Sequence, residues 1–169
     1  MDSTVELARE FGFTVCQVNH AQFDHGGTRQ LGAELLPNVD LLIYMTQDAV
    51  LAASDAIELL VSAFADPKVG VAYGRQLPNL EANPIEAHAR LFNYREHSEI
   101  RTMQDARSKG LRTAFNSNSF ACYRRPALEQ VGGFPKKDHF RRRYFCGSKD
   151  APFGMENCLC SRGQSLPLT

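Results

Sequence analysis

The chain carries no net charge, its 19 Lys and Arg being balanced by 19 Asp and Glu. No basic block is longer than three residues, so the electrostatic footprint a nucleic-acid partner requires is missing. Nowhere do about 18 apolar residues run together, which excludes a membrane-spanning helix. The first residues carry acids and no apolar core, so no signal peptide is expected. Five cysteines, at 16, 122, 146, 158 and 160, lack any framework spacing. Cys16 and Cys122 sit in apolar runs and are expected to be buried free thiols in a reducing compartment. A zinc site built from Cys146, Cys158 and Cys160 is disfavoured, because a single residue separates the last two and no fourth ligand is well placed. What remains, 169 residues, is enough for one modest domain with a real core.

The most informative stretch is Asp40 to Ala49. Leu41 to Thr46 is apolar or β-compatible and ends in Gln47 and Asp48, the pattern of a buried parallel strand that delivers a carboxylate at its C-terminal end. Ligands of open α/β sheets collect at that end. The same ten residues also suit an ordinary core strand followed by a surface turn.

Before this stretch, Asp2, Ser3 and Thr4 resemble a helix cap, and Val5, Leu7, Ala8 and Phe11 make a short apolar face ending at Gly12. Residues 13–18 alternate loosely and suit a strand. An α/β domain opens with a strand for its first helix to cover, so a strand and its loop are expected to be missing from the N-terminus. Gly26 and Gly27 permit a tight turn before a helix expected from Thr28 to Leu36, whose positive end suits a phosphate or carboxylate. A plain turn explains the two glycines equally, and a loop hydrogen bond explains His25.

After Asp48, Ser54 is a plausible N-cap, and Ile57, Leu60, Val61 and Phe64 form a helical stripe that ends before Asp66-Pro67. Val69 to Tyr73 completes a strand-helix-strand unit, which implies a right-handed parallel crossover and puts Arg75 on the rim of Asp48. Arginine there suits phosphate or carboxylate, or is simply solvated. Pro84 to Glu99 reads as a helix with Ala87, Leu91 and Tyr94 on one face. Residues 114–125 read as a strand-like patch bordered by asparagines, and Pro126 opens a short helix that ends at Gly132-Gly133-Phe134-Pro135.

Taken together, the succession Asp2-Ser3-Thr4, Phe23-Asp24-His25-Gly26-Gly27-Thr28-Arg29, Thr46-Gln47-Asp48-Ala49, Gly74-Arg75-Gln76-Leu77-Pro78, Ser117-Asn118-Ser119, Tyr123-Arg124-Arg125 and Val131-Gly132-Gly133-Phe134-Pro135 resembles the family-2 inverting glycosyltransferases, in particular their rhamnosyltransferase-like branch. The resemblance covers residues 2 to 135. It implies an α/β fold of the GT-A type, Rossmann-like, mostly parallel and here incomplete, over residues 1–135, that binds a nucleoside-diphosphate sugar and a divalent cation, Mg2+ or Mn2+. The family's Asp-x-Asp falls on Thr46, Gln47 and Asp48, so Asp48 alone is left as metal ligand, reaching a cation held mainly by the diphosphate. The resemblance further implies that Asp2, His25, Gly26, Gly27, Arg29, Asp48, Arg75 and Gln76 line the donor and that Asn118 lies toward the acceptor. The implied reaction is transfer of rhamnose, from dTDP-rhamnose or a similar donor, to a glycan or lipid-linked acceptor during cell-surface polysaccharide synthesis. The implied location is cytoplasmic, at the inner face of the membrane, with peripheral attachment neither demanded nor excluded.

The family then requires a Glu-Asp pair shortly after Gly-Gly-Phe-Pro, as the base that deprotonates the acceptor hydroxyl. Arg142 and Arg143 stand there instead, and residues 136–169 lack helical or strand periodicity. If Arg141 to Arg143 are encoded CGG CGA AGA with TAC for Tyr144, a one-base shift gives Gly-Glu-Asp-Thr, and Met155 followed by Glu156 is forced to Trp in that frame. An out-of-frame tail from about residue 136 is therefore expected, as against a natural extension. Its consequence would be a catalytically silent nucleotide-sugar-binding fragment or a non-functional remnant.

Overall fold

The computed structural model describes residues 3–79 and 81–135, and the backbone of 156–160. Helix α1, Thr4–Glu10, lies where the cap and apolar face place it, but it buries none of its side chains: Leu7 and Phe11 are exposed. Residues 13–18 form no strand and pair with none among the described residues, contrary to expectation. Cys16 is consequently exposed, while Cys122, on a central strand, is buried as expected, its thiol pushed up to about 12 by burial.

Helix α2, His25–Leu35, starts three residues earlier than the glycine pair suggests. The reason is local. Asp24 is extended and its carboxylate accepts from the Gly27 N–H at 2.8 Å, so Asp24 is the N-cap and both glycines fall inside the first turn. Strand β1, Leu41–Met45, follows, then α3, Ala56–Ser62, continued by a single 3-10 turn at Ala63–Ala65. Asp55, not Ser54, is the cap position of α3, with no side-chain cap bond. Of the expected stripe, Leu60 and Phe64 are buried, while Ile57 and Val61 face outward. Strand β2 is Val69–Gly74.

Helix α4 is only Pro84–Asn93, capped by Asn83, which accepts from the N–H groups of Ile85 and Glu86, each at 3.0 Å. It stops before the expected Glu99, and β3, Glu99–Arg101, takes up that end. The short α5, Ala106–Lys109, leads to β4, Phe120–Arg124, and α6, Arg125–Gln130. Residues 156–160 form β5. The tail therefore contains a strand where no periodicity foretold one; the rest of the 136–169 expectation, including Arg142 and Arg143, lies outside the described residues.

The sheet order is β1-β4-β2-β5-β3. The fold is α/β, as expected, but β1 and β2 are not neighbours: β4 is inserted antiparallel between them. β2 and β5 pair in parallel and β3 pairs antiparallel to β5. Strands β1, β2 and β5 thus share one direction, and the two reversed strands make most of the actual pairings antiparallel. One residue of β2 is extra at the pairing with β5, between Val69 and Val71. That bulge puts Val69 on the same face as Ala72, against the alternation that would align it with Val71.

Two cores flank the sheet. One gathers Ala33, Leu42, Val71, Tyr73, Tyr94, Ala121, Tyr123 and Leu128 under α2 and α6; the other joins Leu60, Phe64, Val69, Ala72 and Cys122 under α3. Gly74 is needed where β2 passes β4, because a Cβ there would lie 2.4 Å from the Phe120 ring. Arg124 and Arg125 are structural. Arg124 donates to the carbonyls of Val69 at 2.9 Å, Phe64 at 2.8 Å and Asp66 at 3.0 Å, closing the end of the α3 layer. Arg125 does the same at the end of α2, reaching Val39 O at 2.7 Å, Ala33 O at 3.2 Å and Leu36 O. Both place a cation against helix C-terminal carbonyls, where it is favoured.

Candidate active site at the strand ends

Because β4 runs against β1 and β2, its N-terminal end lies beside their C-terminal ends. The N–H of Thr46 donates to Ser119 O at 3.0 Å, which stitches the exit of β1 to the loop that enters β4. Three loops therefore meet on one rim: 46–51 after β1, 75–77 after β2, and 117–119 before β4. A cavity of about 90 Å³ opens among them, lined by Asp48, Arg75, Gln76, Arg90 and Ser119, with Phe120 and Leu51 as apolar walls. Asp48, Arg75 and Gln76, predicted from sequence as one site, are thus brought together.

Asp48 is exposed, and its carboxyl is held below the ordinary carboxylate range. The Thr46 hydroxyl is the main cause, followed by the backbone N–H of Asp48 itself, with Arg90 adding a weaker Coulomb attraction. Among the described residues no three His, Cys, Asp or Glu side chains cluster so as to hold a metal by themselves. One ionised carboxylate beside Arg75 and Arg90 fits a cation only if other ligands, such as diphosphate oxygens, complete its shell.

Gln76 is held from behind. Its Nε2 donates to Ser117 Oγ at 2.9 Å, and the same oxygen accepts from the Tyr94 hydroxyl at 2.9 Å. Tyr94 and Ser117 are buried, and burial pushes the Tyr94 phenol up. Next to them, Asn116 Nδ2 donates to Tyr123 OH at 2.7 Å, which in turn donates to Asn118 Oδ1. The expected acceptor residue Asn118 therefore already has its carbonyl engaged with a core tyrosine.

The predicted residues on α2 occupy a different place. None of His25, Gly26, Gly27 and Arg29 lines the Asp48 cavity. The Gly27 N–H is taken by Asp24, and a Cβ on Gly26 would sit 1.7 Å from Pro135 O, so this glycine serves close packing against Gly-Gly-Phe-Pro. Arg29 donates to His25 O at 3.1 Å, and its own carbonyl accepts from the Tyr44 hydroxyl at 2.9 Å. Asp2 lies outside the described residues.

Sequence reasoning missed Arg90, Ser117 and Tyr94 as members of the site. No local signal marks Arg90, which reaches Asp48 only because α4 passes over the strand ends. Ser117 and Tyr94 were visible as a motif serine and a helix-face tyrosine, but their bond spans 23 residues of sequence. A larger cavity, about 290 Å³, is lined by Tyr73, Phe92, Arg95, Arg101, Arg112 and Asn116, among others. It holds none of the predicted site residues and its own carboxylate, Glu99, is paired with Lys109 at 3.1 Å, whereas the strand-end cavity lies where β1 and β2 end.

A carboxylate, two arginines and an amide thus converge at the strand ends of an α/β sheet, the place where such sheets take ligands. The chain belongs to glycosyl transferase family 2, whose model matches residues 1–132, and its fold is accordingly the GT-A fold of that family. It is 40% identical over 161 residues to the O-antigen chain rhamnosyltransferase RfbN of Salmonella typhimurium, and 34% identical over 160 residues to the O-antigen chain rhamnosyltransferase WbaN of Salmonella anatum. Each match takes in 95% of this chain and 51% of the relative, so the chain spans about half the length of the curated relatives it matches. The match to RfbN is longer than residues 1–135 and so runs into the tail. No solved structure matches. Among the described residues no helix is long and apolar enough to cross a membrane.

Proposed function

We propose that this chain carries the donor half of an inverting rhamnosyltransferase that acts on a cell-surface polysaccharide. The observation that carries the reading is the convergence of Asp48, Arg75, Gln76 and Arg90 at the ends of β1 and β2, in a chain similar to two O-antigen chain rhamnosyltransferases. Arg75 and Arg90 face the diphosphate of a donor such as dTDP-rhamnose, and Gln76 faces its sugar. Asp48, kept ionised, contacts a Mg2+ or Mn2+ ion carried on the diphosphate. Such an ion neutralises charge that develops on the leaving nucleoside diphosphate. Gly26 acts at one remove, by packing against Pro135 of the Gly-Gly-Phe-Pro turn. His25, Gly27 and Arg29 do so by holding the first turns of α2, and Asp2 approaches the nucleoside.

The acceptor, a glycan or lipid-linked glycan, enters on the Asn118 side, at the cytoplasmic face of the membrane. Deprotonation of its hydroxyl belongs to a carboxylate that the family places beyond Pro135, where Arg142 and Arg143 stand. If residues from about 136 are out of frame, the chain binds the donor and does not turn it over. Incubation with labelled dTDP-rhamnose, Mn2+ and an O-antigen-type acceptor, followed by product counting, tests the enzymatic part. Transfer that is abolished by Asp48→Asn supports it, and transfer unaffected by that change contradicts the role of the strand-end site. DNA sequence at codons 141–144 that does not give Gly-Glu-Asp-Thr when shifted by one base contradicts the out-of-frame tail.

A further inference from the structure

Helix α4 presents different chemistry on its two sides. Arg90 lines the strand-end cavity, and Tyr94, just past the helix, is buried in the core. On the opposite side, about 160° around the axis from Arg90, stands Phe92, in line with Ile85 two turns earlier. Between them on the same stripe are Ala89 and His88, whose ring stacks on Phe92 with centroids 6.1 Å apart. An apolar stripe of this spacing ordinarily marks the buried side of a helix. Here it faces outward: Ile85 is 82% and Phe92 58% exposed, and α4 buries none of its residues.

The apolar surface continues beyond the helix. The Arg112 guanidinium lies over the Phe92 ring, 4.4 Å from its centre, and brings beside it the 3-10 turn Gly110–Ala114, whose Leu111 is 75% exposed. Phe92, Leu111 and Arg112 are also walls of the cavity of about 290 Å³, together with Arg95 and Arg101. Glu99, the acid of that lining, is already engaged by Lys109 at 3.1 Å and by Arg101 at 3.6 Å. Glu86 stands about 100° off the stripe. Arginines bordered by protruding apolar side chains match the boundary of a bilayer, where anionic headgroups lie over acyl chains.

We propose that the face of Ile85, Phe92 and Leu111 docks on an anionic phospholipid bilayer, its apolar side chains entering the headgroup boundary while Arg95 and Arg112 receive lipid phosphates. The proposal deepens the membrane-face part of the proposed function and rests on that part alone. Arg90 and Phe92 lie on opposite sides of one helix, so the donor cavity then stands about 10 Å from the bilayer, one helix diameter, within reach of a lipid-linked acceptor.

The experiment is co-sedimentation of the 169-residue chain with phosphatidylcholine vesicles, with and without phosphatidylglycerol, alongside calorimetric titration with dTDP-rhamnose and Mn2+. The wild type is expected to partition onto the phosphatidylglycerol vesicles, and less so as salt rises. Ile85→Ser and Leu111→Ser together lower that partition at least about tenfold, the worth of one inserted aliphatic side chain. Arg112→Gln lowers it about fivefold on phosphatidylglycerol vesicles and leaves phosphatidylcholine binding as it was. Ile85, Leu111 and Arg112 are exposed and none lines the strand-end cavity, so donor affinity stays at the wild-type value. Phe11→Ser, which removes a ring 72% exposed from the end of α1, is the control and leaves the partition unchanged. A wild type that ignores both vesicles overturns the proposal, as does binding that is lost with Phe11→Ser and kept with the Ile85 and Leu111 changes. A chain that stays off vesicles and forms a dimer broken by those two changes also overturns it. Vesicle binding without dTDP-rhamnose binding contradicts the donor-site reading and leaves the docking face standing.

Discussion

Gly26 and the carbonyl of Pro135 are in contact so close that a Cβ on Gly26 would stand 1.7 Å from the oxygen. Two glycine motifs more than a hundred residues apart are thus halves of one joint. On the other side of the joint, Phe134 N–H donates to Gln30 Oε1 at 3.0 Å, and Gly133, at φ 77°, has room for no side chain against the same glutamine.

Gly26→Ala is expected to destabilise the fold by about 1–3 kcal/mol, the usual cost of overpacking, because the atom in the way is backbone and cannot rotate aside. Urea denaturation checks this. Gly32→Ala is the control: its Cβ would meet only the Tyr44 ring, at 3.8 Å, an ordinary contact.

Arg125→Lys is expected to cost about 1.5–3 kcal/mol, because an ammonium cannot reproduce a planar fork that reaches the carbonyls of Val39, Ala33 and Leu36 together. The readout is the denaturation midpoint. Arg125→Gln is expected to be no better, which separates loss of geometry from loss of charge.

Much of this was legible beforehand. The run from Leu41 ending at Asp48 declared a strand with a carboxylate at its exit, and the Ile57 to Phe64 stripe and Val69 strand put Arg75 on the same rim, with Gln76 added by the family resemblance. Those features are local, set by apolar periodicity and the turn that ends it. What was not legible is non-local. The insertion of β4 between β1 and β2 brings Ser117 and Ser119 to the site, and no local pattern encodes strand order. Residues 13–18 look like a strand, yet form none and pair with none among the described residues, although β1 stands at the end of the described strand order. Gly26 and Gly27 left a ligand turn and a plain turn open, because a glycine pair before a helix suits both, and the packing of Gly26 against Pro135 has no local signal.

Asp48 gives a pH signature. Its carboxyl is held below the usual 3.8 by the Thr46 hydroxyl first, its own N–H next and Arg90 last. A depressed carboxyl stays charged above its ordinary pKa and loses that charge only as pH falls through the lower value. Mn2+-dependent affinity for dTDP-rhamnose, whose diphosphate is esterified at both ends and takes up no proton near neutrality, is therefore expected, by fluorescence titration, to stay level from neutral pH down through the ordinary carboxylate range and to fall only below it. Thr46→Val moves that edge upward, and Asp48→Asn removes the Mn2+ dependence at every pH.

The Tyr73 phenol, pushed up to about 12 by burial against the opposing pull of Arg101, gives the alkaline counterpart. The fold favours its neutral form, so its contribution is complete below pH 10 and is lost as pH rises from about 10 toward 12. Melting temperature is expected to fall across that interval. Tyr73→Phe removes part of the slope, the part left belonging to Tyr44, also pushed up to about 12, and to Tyr94.

The central claim is that the donor occupies the strand-end cavity and not the larger one beside Phe92 and Arg112. Amide hydrogen exchange with and without dTDP-rhamnose and Mn2+ tests it most directly. The expected result is added protection in 46–51, 75–77 and 117–119, with no change at 111–114. Protection confined to 92–95 and 111–116 would contradict the account.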